Sequence, residues 1–282
     1  MGRIATIGFF DGVHKGHRYL FKQLDKIGAE RGLQPLIITF AEHPRAALQS
    51  DYVPQLLTTA EERRALLSAY GEVLMLDFRQ VQPLTAAEFM QRCRDEYEVS
   101  VLLMGYDHCF GSDRLRHPQE YRRIGEALQM EVITVNEYVE GEWHVSSTEI
   151  RAALECGNII VANELLGRPY KLSGTVVHGK GIGHTIGFPT ANIAREPFTI
   201  IPKAGVYAVR VHAYALDWTP AMLNIDTDGT IEVHIPSFHG DLYGQRMDVQ
   251  FVRHVREEKQ FDSLDALREQ IKADVDSIRH PA

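Results

Sequence analysis

Two hydrophobic rhythms divide the chain. In the first half, short apolar runs alternate with stretches whose apolar residues recur at helical spacing. Ile4-Ala5-Thr6-Ile7 is followed by Tyr19, Leu20, Phe21, Leu24 and Ile27, which fall on one face of a helix over 17–32. Pro35-Leu36-Ile37-Ile38-Thr39-Phe40 reads as a continuous apolar strand, and a helix near 60–70 precedes the strand Val73-Leu74-Met75-Leu76. Helices near 85–97 and 118–129 precede the runs Val99 to Met104 and Glu131 to Val135. Continuous apolar strands separated by helices predict a parallel sheet covered on both faces. The expected fold is α/β, a doubly wound, Rossmann-like domain that binds ligands at the carboxyl ends of its strands.

From about residue 170 the helical spacing stops. Leu172 to His178, Gly205 to His212, Ala221 to Ile225, Thr230 to Ile235 and Met247 to Val252 are short β-runs bounded by Gly, Pro and Asp. They predict an all-β second domain, a small antiparallel barrel. A C-terminal helix over 262–279 is expected to follow, capped by Asp262 or Ser263, with Leu264, Leu267 and Ile271 on its packed face. A helical connector, Asn158 to Leu166 ending at Gly167, places the boundary near 155–170, hence domains 1–165 and 166–282.

Composition narrows the class. At 282 residues and 44% hydrophobic content the chain can bury two cores. A net charge of −8 argues against nucleic acid as a partner, which calls for a basic patch. No apolar run approaches the roughly 20 residues of a membrane helix, and the N-terminus lacks the apolar core of a signal peptide. Cys93, Cys109 and Cys156 form no C-x-x-C pair, which fits a reducing compartment. The expectation is a cytoplasmic protein acting on small molecules, with no membrane or nucleic-acid partner and an oligomeric state left open.

The candidate chemistry lies at the expected strand ends. Gly8-Phe9-Phe10-Asp11-Gly12-Val13-His14-Lys15-Gly16-His17 leaves the first strand and enters the first helix. Glycines admit backbone N–H groups to a phosphate, a helix N-terminus favours anions, and imidazoles can meet charge developing on phosphorus. Ser146-Ser147-Thr148-Glu149-Ile150-Arg151 offers hydroxyls, a helix start and a guanidinium fork, although Ser146 with Glu149 also spells a plain capping box. Thr39 to Arg45 (with His43 and Pro44) and Gly105 to Gly111 (with Asp107, His108 and Phe110) follow two other strands. By themselves these read as polar turns with solvated histidines. In the second half, Gly174 to Gly181 misses a P-loop by its last residue, and Pro189 prevents the Gly181-x-Gly183 stretch from opening a dinucleotide helix. Thr190 and Asn192 are two oxygen ligands on one face of an extended segment, suited to Mg²⁺.

In the first domain the motifs Gly-x-Phe-Asp-Gly-x-His-x-Gly-His, Thr-Phe-x-x-His-Pro, Gly-Tyr-Asp-x-x-Phe-Gly and Ser-Ser-Thr-x-Ile-Arg occur in order. Together they resemble the HxGH nucleotidyltransferase module of prokaryotic bifunctional riboflavin kinase/FAD synthetases. Gly205 to Val209, Met222 to Ile225, Ile231 to Ile235 and Asp241 to Gln245 resemble the kinase module. The resemblance implies phosphorylation of riboflavin by ATP to FMN, then AMP transfer from ATP to FMN, giving FAD and pyrophosphate. It implies ATP-phosphate contacts from His14, His17, Ser147, Thr148 and Arg151, with Gly8, Phe9, Phe10, Asp11, Gly12, Gly16 and Ser146 shaping that site. His43, Pro44, Asp107, Phe110 and Asn224 are implied to contact flavin, and Gly181, Gly183 and Pro189 nucleotide. Thr190 and Asn192 would hold Mg²⁺–ATP, with Glu232 as general base. Three features depart from the family pattern: Cys109 and His184 replace arginines, and Asp226-Thr227-Asp228-Gly229 replaces a longer loop. The short connection keeps open a second reading, an adenylyltransferase with a silent, flavin-binding second domain. A third, an HxGH enzyme with another acceptor such as a pantetheine phosphate, fits the second domain less well.

Overall fold

The computed structural model describes residues 2–140, 143–179, 183, 187–236 and 238–279. Its contacts divide the chain into two compact units, Met1–Ser146 and Ser147–Ala282.

The first unit contains, in order, β1 (Arg3–Ile7), a 3-10 turn (Asp11–Val13), α1 (Lys15–Arg31), β2 (Gln34–Phe40), α2 (Pro44–Leu48), α3 (Ala60–Leu67), β3 (Glu72–Leu76), α4 (Phe78–Val81), α5 (Ala86–Tyr97), β4 (Val99–Met104), α6 (Pro118–Leu128) and β5 (Glu131–Thr134), then a short hairpin, β6 (Val139–Glu140) and β7 (Trp143–His144). Five parallel strands pair in the order β3-β2-β1-β4-β5. Successive strand residues point to opposite faces, and both faces are dry. Leu36, Ile38 and Phe40 pack with Phe89 and Met90 of α5 and Tyr121 of α6, while Ile37 and Ile4 pack with Phe21 and Leu24 of α1 and Leu67 of α3. That two-sided burial is why β2 is apolar at every position from Leu36 to Ile38. The short helices α2 and α4 and the hairpin have too few periodic residues to be foreseen.

The second unit contains α7 (Ser147–Glu155), α8 (Ile159–Leu166), β8 (Lys171–Val177), β9 (Thr190–Arg195), β10 (Gly205–Ala213), β11 (Leu216–Ile225), β12 (Ile231–His234), β13 (Arg246–Arg256) and α9 (Leu264–Arg279). The strands form a closed barrel in the order β10-β11-β12-β9-β8-β13. Helix α8 is capped by Asn158 and ends on left-handed Gly167, as its sequence predicts. It groups with the barrel because Asn163 donates to the Phe251 carbonyl at 2.9 Å and accepts from the Tyr170 N–H. Leu154 of α7 likewise accepts from the Lys203 N–H at 3.0 Å.

One expectation needs correction. Leu264 stands 62% exposed, and α9 instead packs Ile271, Val275 and Ile278 against Val206 and Met222, because Leu264 opens the helix ahead of that contact. Thr190–Arg195 is also a full barrel strand: its polar and small residues hide a β signal that pairing with β8 and β12 supplies. Among the described residues no helix is long and apolar enough to cross a membrane.

Candidate functional sites

In the first unit β1 and β4 are neighbours at the centre of the sheet, where the strand order reverses. In such sheets this is where a ligand crevice opens. Gly8 to His17 leaves the end of β1, and Gly105 to Gly111 leaves the end of β4. The first turn is strained: Phe10 and Val13 take left-handed backbone angles, φ 53° and 42°, that disfavour any side chain and a β-branched one most. What holds it is Asp11. Its buried carboxylate accepts from the backbone N–H groups of Leu57 and Thr58 and from the Thr58 hydroxyl, all at 3.0–3.1 Å. The Thr58 hydroxyl also accepts from Gly12 N–H at 3.2 Å. Asp11 thus faces inward and shapes the site from below.

His14 is the N-cap of α1, its Nδ1 accepting from the His17 N–H at 3.4 Å. An accepting Nδ1 carries no proton, so the neutral ring bears its hydrogen on Nε2. The His17 ring stacks on it, with centroids 3.5 Å apart, and meets Phe10 edge-on at 5.3 Å. At Gly16 a Cβ would lie 3.1 Å from the Val145 carbonyl oxygen and 3.2 Å from the His14 ring, so glycine is what lets α1 start against both.

Around the turn, Phe9 meets His43 edge-on at 4.9 Å, His43 lies 5.3 Å from Tyr52, and the Arg45 guanidinium sits over Tyr52 at 4.4 Å. His43 is not simply solvated, since its Nδ1 caps α2 by accepting from Arg45 N–H, and Pro44 is the first residue of that helix. Phe110 is pinned by Tyr121, whose hydroxyl accepts from Phe110 N–H at 2.8 Å and donates to its carbonyl at 2.7 Å. Asp107 is exposed. His108 also departs from the solvated expectation: burial of its ring lowers its pKa to about 4, and Nε2 has no hydrogen-bond partner among the described residues. Ser146 closes the first unit, and Ser147, Thr148 and Arg151 stand in the opening turns of α7 in the second. Cys93 is buried, which pushes its thiol up to about 12, whereas Cys109 and Cys156 are exposed.

The second unit's candidates lie on the outer face of the barrel. Antiparallel register sets Asn192 opposite Glu232 and Glu232 opposite Asn224, so these three side chains form a row across β9, β12 and β11. One step along, Thr190 lies opposite His234, and His234 opposite Met222. All six line a cavity of about 600 Å³, closed on its other side by Leu267 and Ile271 of α9. His234 is buried and bonded through Nδ1 to the Pro189 carbonyl at 2.9 Å, which ties the Pro-Thr turn to the strand carrying Glu232. Asn224 donates to Asp226, and Asp226 N–H bonds the Thr230 carbonyl at 2.9 Å, so the short connection closes as a tight hairpin and keeps the row intact. Gly183 also lines the cavity, whereas Gly181 and His184 lie outside the described residues.

The donor set suits a hard cation. A hydroxyl, an amide oxygen and a carboxylate are oxygen ligands of the kind Mg²⁺ takes together with waters and phosphate oxygens. No group of three or more His, Cys, Asp or Glu able to hold a metal unaided occurs among the described residues. Sequence reasoning did not single out the Thr58–Asp11 clasp, buried Arg63 or His234. Arg63 lies in Glu61-Glu62-Arg63-Arg64, which reads as a solvated helix face and carries no signal of burial.

Comparison with known proteins matches each part of the chain to a family. The family described as FAD synthetase matches residues 1–149, and that described as riboflavin kinase matches residues 166–281. The bifunctional riboflavin kinase/FMN adenylyltransferase of Escherichia coli K12 is 36% identical over 284 residues, covering 97% of this chain and 90% of that one. Its counterpart in Pseudomonas fluorescens is also 36% identical, covering 99% and 92% of the two chains. A solved structure from Streptococcus pneumoniae, described as a macrolide-efflux protein, superposes with a TM-score of 0.89 at 34% identity, covering 100% of this chain and 95% of that one. With both modules matched in order and relatives aligned over nearly its whole length, the chain belongs to the bifunctional riboflavin kinase/FMN adenylyltransferase family.

Proposed function

We propose that the second unit phosphorylates riboflavin with ATP to give FMN, and that the first transfers AMP from a second ATP to FMN. In the adenylyl transfer, an oxygen of the FMN phosphate attacks the α-phosphorus. The bond from that phosphorus to the α–β bridging oxygen breaks, and pyrophosphate leaves. The attacking phosphate is already anionic at neutral pH, so the site needs no strong base, only alignment and charge stabilisation. The observation that carries this reading is the capped His14. That cap sets the His14 ring at the N-terminus of α1, an end that favours the negative charge of phosphate oxygens. His43, Pro44, Asp107 and Phe110, at the ends of β2 and β4, would contact the flavin.

In the kinase unit, the Glu232 carboxylate takes the proton of the riboflavin 5′-hydroxyl as its oxygen attacks the γ-phosphorus, and ADP departs. Thr190 and Asn192 would hold Mg²⁺, which supplies charge neutralisation to the phosphates when bound. Asn224 lies opposite Glu232 in the register and would contact the flavin. Incubation with riboflavin, ATP and Mg²⁺, with products separated, tests both halves. FMN followed by FAD and pyrophosphate is expected. Absence of FMN beside retained FMN-to-FAD turnover would overturn the kinase half, and FMN accumulation without FAD would overturn the other.

A further inference from the structure

Helix α3 begins with a capping box, Thr59 and Glu62 each bonding the other's backbone N–H at 3.1 Å, and the next residue, Arg63, turns inward. Arg63 is 0% exposed, although arginine is among the residues least often buried. Its Nη2 donates to the carbonyls of Phe40 at 2.7 Å and Ala41 at 3.3 Å, at the end of β2. Its guanidinium lies 4.1 Å from the ring centroid of Phe9, in the candidate phosphate turn. Nε and Nη1 have no hydrogen-bond partner among the described residues.

A buried guanidinium costs several kcal/mol unless charge or hydrogen bonds offset that cost. Two carbonyls and one aromatic face offset part of it. The charge of Asp11 opposes the effect of burial, which pulls the Arg63 guanidinium below its usual range. The relation also runs the other way. Asp11 is the clasp of the turn proposed to bind a polyphosphate, and its carboxylate is buried. Alone, it would repel that ligand in a medium that screens charge poorly.

We infer that Arg63 is a positioning residue of the adenylyl-transfer site: it offsets the buried Asp11 carboxylate and braces Phe9, so that ATP meets the turn with that buried charge compensated. This rests on reading the first unit as the ATP:FMN site. Arg63 touches neither substrate in this account and acts through Asp11 and Phe9.

Three replacements of Arg63 separate charge from packing, with FMN-to-FAD turnover measured against ATP concentration. Arg63→Met and Arg63→Gln, both neutral, are expected to raise KM for ATP about tenfold or more, with a smaller change in kcat. Gln retains a donor for the Phe40 carbonyl, so its loss reports charge. Arg63→Lys keeps the charge and is expected to stay within about threefold of the unsubstituted enzyme. Adding Asp11→Asn to Arg63→Gln is expected to recover most of the lost affinity. Riboflavin phosphorylation by the same chain and its melting temperature report folding. If Lys is as impaired as Gln, if Gln leaves KM unchanged, or if Asp11→Asn deepens the defect, the inference is overturned. Should the unsubstituted protein itself form no FAD from FMN, it is the reading of the first unit that fails.

Discussion

On the proposed function, the two units would meet the same chemical demand, alignment of a polyphosphate with an acceptor, by opposite constructions. The first uses backbone: a strained turn at a strand end, the N-terminus of α1 and a histidine that is part of the helix cap. The second uses side chains: a row of oxygen-bearing residues aligned by antiparallel register on a barrel face, under a packed helix. A backbone site depends on how the turn is buttressed. A side-chain site depends on register and on what covers it. Substitutions should therefore fail differently in the two units.

The largest expected effect is on side-chain chemistry. Glu232→Gln keeps size and hydrogen bonding but removes the proposed base, and should lower riboflavin phosphorylation about 10²–10⁴-fold while FMN-to-FAD turnover is unchanged. Next is the cover of that site. Arg256 and the buried Asp274 form a paired contact at 2.7–3.2 Å that joins α9 to β13, with Gln270 donating to Asp274 at 2.8 Å. Asp274→Ala leaves the guanidinium uncompensated and should cost about 3–5 kcal/mol, seen as earlier melting of the second unit and weaker flavin binding there. In the first unit, His14→Asn retains a capping oxygen but loses the Nε2 donor. FMN-to-FAD turnover should fall about 10²–10³-fold at nearly constant melting temperature, with riboflavin phosphorylation intact. An equal loss in both reactions would erase the distinction between the units. The smallest effect belongs to the shortened hairpin. Gly229 has φ 84° and a Cβ there would meet Ile201 Cδ1 only at an ordinary 3.7 Å, so Gly229→Ala should cost about 1 kcal/mol through backbone strain, with kinase activity retained below the melting transition.

Much of the first unit was legible along the chain because its signals are local. The apolar strands, the helices between them and the Gly8–His17 turn each lie within one continuous segment. The four ordered motifs that carry the family resemblance are local in the same way. The barrel was less legible. Thr190–Arg195 lacks β-branched alternation and becomes a strand only by pairing, and Leu216 to Pro220 extends β11 for the same reason. Leu264 shows the reverse error, since its spacing fits the packed face of α9 while its position leaves nothing to pack against.

Taken alone, the sequence determined the two fold classes, the order of the motifs and the residue types available for chemistry, since periodicity and motif spacing are properties of neighbouring residues. The tertiary structure decided how those residues are held. Asp11 and Thr58 are 47 positions apart, yet one clasps the other. Arg63 reads as a surface charge and lies fully buried under Phe9. Glu232 alternates with apolar residues as any strand acid does, until register sets it between Asn192 and Asn224. Burial, register and charge compensation arise between segments distant in the chain, so no local pattern could announce them.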